Sequence, residues 1–262
     1  MSLGNNEPAE LFGGTHDRPP PTPSLPPLFH SASILNAKDH GGLRQKPVRA
    51  YAHAASMRAA PLNAVEFQRA ALRYPIVFSG QNDRLSAHAI LGLHHDTNLF
   101  VETDGTWQPE CYIPAYIRRY PFILARSPSA TQFTLCADLK SGFFSANEGD
   151  ALFEEGKPGL PLQKALQFCT AYQREAAAST ALISKLVEHD IFTTKEGKFT
   201  LGTGERILVP EFKVIDDNKL NGLSDAAFCD LRKAGCLPAV YSHLMSLNNW
   251  TVLLERTDRA AT

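Results

Sequence analysis

The densest grouping of side chains able to recognise a charged ligand lies between Trp107 and Tyr120. Trp107, Tyr112, Tyr116, Arg118, Arg119 and Tyr120 fall within fourteen residues there. Arginine offers a planar fork of donors that matches a carboxylate, and tyrosine and tryptophan add flat contact area with little entropy to lose. If the stretch is helical, Tyr116 and Arg119 share a face at i, i+3 while Arg118 points elsewhere. The same residues also read as the tyrosine-lined edge of a core with arginines at the negative end of a helix. Upstream, "LRYPIVF" repeats the Arg-Tyr-Pro device, and Arg73 and Tyr74 would join the group if the two segments met in space. His40 and Arg44 flank paired glycines in "DHGGLR", an expected loop where functional groups often sit. His243 in "VYSHLMSLNNW" is a further candidate ligand-binding residue, although a histidine beside Leu244 and Leu247 reads first as a hydrogen-bonded core residue.

Sequence signatures of catalysis are absent. The chain contains neither G-x-S-x-G nor H-E-x-x-H, so a hydrolytic site would have to be assembled from dispersed serine, histidine and aspartate. His94 and Asp96, with a distant His189 or His243, match the residue types of a two-histidine, one-carboxylate iron site. They fall where a hairpin turn is expected, however, and polar residues belong in turns. "GTGER" at 202–206 precedes a strand rather than a helix, so it reads as a turn and not as a phosphate loop. No cofactor is expected. The formal net charge of −1 lacks the basic field of a nucleic-acid binder. Five scattered cysteines form no C-x-x-C pair, and no stretch approaches the roughly 18 apolar residues of a membrane span. With no visible secretory signal, a cytoplasmic setting is the expectation.

Residues 1–30, with "RPPPTPSLPPLF", read as a disordered, proline-rich tail. Residues 31–256 are expected to form one α+β domain. Antiparallel strands and hairpins should occupy its N-terminal half and the region around 198–215. A long helix should cover about 161–191, with shorter helices at the C-terminal end. Leu99, Phe100 and Val101 are expected as the second arm of a hairpin that begins at Ile90. Each Arg-Tyr-Pro should end a short helix sharply and hand the chain to a strand, because proline pushes the residue before it out of the α region. In the second copy Pro114 is read as the first helical residue. Tyr112 would then staple onto Ile117.

"LNAVEFQRAALRYPIVF", "YIPAYIRRYPFILA", "GDALFEEGKPGLPLQKALQFCTAY", "KVIDDNKLNGLSDAAFCDLRKAG" and "VYSHLMSLNNW" together resemble the SapC family, over roughly Ser31 to Leu254. That family takes its name from a bacterial surface-layer locus, and some members carry the label peptidase. Its genomic neighbours include flavin-dependent halogenase-like and cupin-like proteins and outer-membrane receptors. The resemblance therefore implies a place in a bacterial uptake or modification system and does not specify a reaction. The expected function is a non-catalytic binding or accessory protein for a small carboxylate-bearing or peptide-like ligand, or for a protein partner such as one of those neighbours. The alternative is an enzyme with a dispersed site, metal-dependent or hydrolytic.

Overall fold

The computed structural model describes residues 25–81, 84–126 and 133–260, together with the backbone of Ser2–Leu3. The main strands are β1 (Ala59–Leu62), β2 (Ile76–Ser79), β3 (Ser86–Ile90), β4 (Phe122–Arg126), β5 (Phe133–Ala137), β6 (Phe192–Thr200) and β7 (Arg206–Ile215). Besides a single turn at Ala37–His40, the helices are α1 (Phe67–Ala70), α2 (Ala115–Arg118), α3 (Leu160–Glu188), α4 (Asp217–Asn221), α5 (Asp225–Lys233), α6 (Leu237–Ser246) and α7 (Asn249–Ala260). Among the described residues every strand pairing is antiparallel. The architecture is α+β.

One sheet runs in the order β6-β7-β2-β3-β1. Its apolar residues, including Ile76, Val77, Phe78, Ile90, Val209 and Val214, pack with Leu231, Val240 and Leu253 of the C-terminal helices. A second sheet pairs β4 with β5 and is flanked by Ser2–Leu3 and Ser33–Ile34. A small ribbon places Arg44–Gln45 between Phe144–Ser145 and Asp150–Ala151.

Helix α3 joins these parts. Its 29 residues span about 43 Å at 1.5 Å per residue. Leu162, Ala165 and Cys169 near its start pack against Phe122, Leu124, Ala137 and Leu152. Ile183 and Leu186 near its end belong to the core of the larger sheet. The absence of glycine or internal proline allows one uninterrupted helix, and the run Ala176-Ala177-Ala178 favours it.

Three boundaries differ from expectation. The proline-rich tail was expected to run to residue 30, but Leu25 and Phe29 already pack against Tyr120, Ile123 and Cys136. Residues 4–24 lie outside the described residues. Leu99–Val101 form no hairpin strand, apart from one bridge between Val101 and Trp107. The buried Asn98 side chain diverts the chain there, because its amide oxygen accepts from Phe100 N at 3.0 Å and its nitrogen donates to Ala54 O. Finally, Pro114 is the cap of α2 and not its first helical residue.

Candidate functional site

Both Arg-Tyr-Pro segments end a one-turn helix and start a strand, α1 into β2 and α2 into β4. They meet in space. Tyr74 is fully buried and its hydroxyl donates to Tyr112 O at 2.5 Å, while Trp107 Nε1 donates to the same hydroxyl at 3.3 Å. Tyr74 also packs edge-on against Phe100. Trp107 and Tyr74 are therefore core residues with their polar atoms consumed internally. Arg73 is exposed and its guanidinium reaches Leu72 O.

A residue absent from the candidates of the sequence links the two segments. Glu66 is 4% exposed. One carboxylate oxygen accepts from Ala115 N at 2.7 Å and Tyr112 Oη at 2.9 Å, and the other accepts from Asn63 N at 2.9 Å. Burial pushes its carboxyl above the ordinary range, against the pull of these donors. Asn63-x-x-Glu66 is a capping box, a signature readable from sequence. Its reach to Ala115 is not.

The other half of the second segment faces a cleft of about 330 Å3. Arg118, Arg119 and Tyr120 line it with Lys46, Pro47 and Val48 from the segment after the ribbon strand, and with Leu160, Pro161, Lys164 and Phe168 from the start of α3. Arg118 is held in place: Nε donates to Ile113 O and Nη2 to Tyr112 Oη, both at 2.9 Å. Its guanidinium also lies over the rings of Tyr112 and Phe168. Tyr120 donates to Asp138 at 3.2 Å and stacks on His53, so its hydroxyl is engaged in the fold.

Arg119 is different. It is 9% exposed, its Nε has no hydrogen-bond partner, and among the described residues it forms no ion pair. The guanidinium sits between the rings of Tyr116 at 4.4 Å and Tyr172 at 4.6 Å, with Phe29 at 5.6 Å. Tyr116 itself is buried, and its hydroxyl donates to Pro27 O. An arginine stays protonated, and burying a charge without a counter-ion costs several kcal/mol. Two rings return up to about 2 kcal/mol each, but they supply no negative charge. Lys46, Phe168 and Lys164, like Tyr172, were not among the sequence candidates. They stand far from the Trp107–Tyr120 motif in sequence, and only the fold brings them to it.

The remaining candidates lie elsewhere. His40 Nδ1 accepts from Asn36 N at 3.2 Å, and Arg44 Nε donates to Gly149 O at 2.8 Å. The expected loop is confined to the residues between them, because His40 closes the helical turn Ala37–His40 and Arg44 begins the ribbon strand. His243 is fully buried, its Nε2 accepts from Ile215 N at 3.0 Å, and burial lowers it to about 3. It is a neutral core residue. His94 faces Glu205 at 3.7 Å, Asp96 sits in a turn with φ of 53°, and His189 bonds Asp230 at 2.9 Å. Among the described residues no three histidine, cysteine, aspartate or glutamate side chains gather as a metal site would require.

The lining of the cleft combines donors, apolar side chains, one thiol and one carboxylate. The Cys169 thiol, which lines it, is pushed up to about 11 by burial, which leaves little thiolate at neutral pH. The arginines and lysines are donors only, and Asp150 is the carboxylate on the rim. A serine–histidine contact does exist, Ser79 Oγ to His88 Nδ1 at 3.2 Å, but both residues are buried in paired strands. Burial lowers that histidine to about 4. Among the described residues no helix is long and apolar enough to cross a membrane. A family model described as SapC matches residues 35–253. No curated protein and no solved structure matches the chain.

Proposed function

From the premise that the chain belongs to the SapC family, we propose that it is a non-catalytic binding or accessory protein whose cleft receives a carboxylate-bearing ligand. The observation that carries this reading is Arg119: a buried, permanently charged fork, clamped between two tyrosine rings, with an unused donor and no carboxylate of its own. A ligand carboxylate would supply the missing counter-charge, and the clamp means little rotamer entropy is lost on binding. A cytoplasmic location belongs to the same proposal, and so, on the strength of the family, does a role beside other proteins of a bacterial uptake or modification system.

Arg119→Met tests it. Replacing an unpaired buried charge by an apolar side chain of similar length should leave stability unchanged or raise it by about 1–4 kcal/mol. Binding of 3-phenylpropanoate, followed by calorimetry, should be lost. A variant that is several kcal/mol less stable would make Arg119 a structural residue, and an unchanged affinity would remove the site.

A further inference from the structure

We infer that the cleft is built for a head group carrying two negative charges, a phosphate monoester or a paired carboxylate, attached to an apolar body. This deepens the anion-binding reading and rests on it. Four cationic side chains, Lys46, Arg118, Arg119 and Lys164, line the cleft against one carboxylate, Asp150. Among the described residues none of the five makes an ion pair. A single carboxylate would neutralise one charge of an excess of three.

The same wall carries a further positive feature. Helix α3 begins at Leu160 and Pro161, both in the lining. Its cap is Gly159, which has no side chain to accept from the first turn, and that turn holds no acidic residue. The positive end of the longest helix is thus left without the compensation that helix starts usually carry. The Arg119 guanidinium, whose buried Nε is also unpartnered, reaches the same lining from the end of α2 and packs on Tyr172 of α3. Two independent elements therefore offer unanswered positive charge to one space. The planar fork of Arg119 suits tetrahedral or bidentate oxyanions. Pro47, Val48, Leu160 and Phe168 supply the apolar flank for the rest of the molecule.

The test is calorimetry on the full chain with three ligands that share a phenyl body: 3-phenylpropanoate with one charge, benzylmalonate with two carboxylates, and benzyl phosphate, all at a pH where the second acid is ionised. At least one dianion should bind about tenfold more tightly than the monoanion, and the stronger of the two identifies the head group. Lys164→Gln should abolish that advantage, lowering the affinity of the dianion by more than that of the monoanion, because the lysine adds charge without a built pocket of its own. Equal affinities for all three would overturn the dianion inference and leave the anion site standing. Failure of all three, or unchanged binding by Arg119→Met, would overturn both.

Discussion

At the scale of single residues, burial acts in opposite directions on two kinds of titratable group in this molecule. His88 and His243 are buried neutral, lowered to about 4 and about 3 from an ordinary value of 6.5. Ile215 N occupies the acceptor lone pair of His243, so a proton arriving there would meet a donor. Between pH 6.5 and about 4 the unfolded chain takes up protons at these positions and the folded chain does not. Stability should accordingly fall as pH falls through that window, by about 1.4 kcal/mol per unit for each histidine. Urea denaturation at pH 7, 6 and 5 checks this. His243→Gln, which keeps an acceptor for Ile215, should flatten the slope by about one proton, and an unchanged slope would place the effect elsewhere. Glu66 works in the other direction. Its raised carboxyl favours the folded state at low pH, and that contribution is lost as pH rises from the unfolded value through the folded one. The two kinds of group oppose each other, so the histidine slope is best read as a difference between variant and parent.

At the scale of elements, the two short helices are less independent than their sequences suggest. A one-turn helix cannot hold itself together in water. Helix α2 is kept by Glu66, which accepts from Ala115 N, and by its three buried residues Ala115, Tyr116 and Ile117. Glu66→Ala should destabilise by about 2–4 kcal/mol, since it orphans Ala115 N, Asn63 N and the Tyr112 hydroxyl together. Tyr112→Phe should cost about 1 kcal/mol. The double variant should cost less than the sum, because both remove the same bond, and thermal melts of the four proteins would measure the difference. Additive costs would mean that the hydroxyl contact contributes nothing to the fold. The local half of this arrangement was legible in the sequence: each Arg-Tyr-Pro stops a helix for a steric reason that needs only neighbouring residues. The 49-residue separation between Glu66 and Ala115 was not, because no periodicity or turn rule speaks to contacts at that range. For the same reason Arg118, Arg119 and Tyr120 could be named beforehand as candidates, whereas Lys46 and Lys164 could not.

For the whole molecule, the segment Leu25–His30 matters more than its proline-rich context implied. Phe29 packs edge-on against Tyr120 and lies 5.6 Å from the Arg119 guanidinium. His30 N and Ser31 Oγ both donate to the buried carboxylate of Asp138 at 2.7 Å. Composition marked these residues as tail, because prolines dominate the window and one phenylalanine carries no period. Phe29→Ala should cost about 3–5 kcal/mol of stability and should loosen the clamp on Arg119, so ligand affinity ought to fall along with the melting temperature. A loss of stability with unchanged affinity would show that Tyr116 and Tyr172 hold the arginine unaided.

The placement of the two tryptophans has a practical consequence. Trp107 is sealed beside Tyr74, and Trp250 stacks on Phe199 and Phe212 at 5.4 and 5.5 Å. Neither lines the cleft. Intrinsic fluorescence will therefore follow unfolding while staying nearly silent when the cleft fills. A flat emission titration with a candidate ligand would carry no weight against binding, which makes heat the signal of choice.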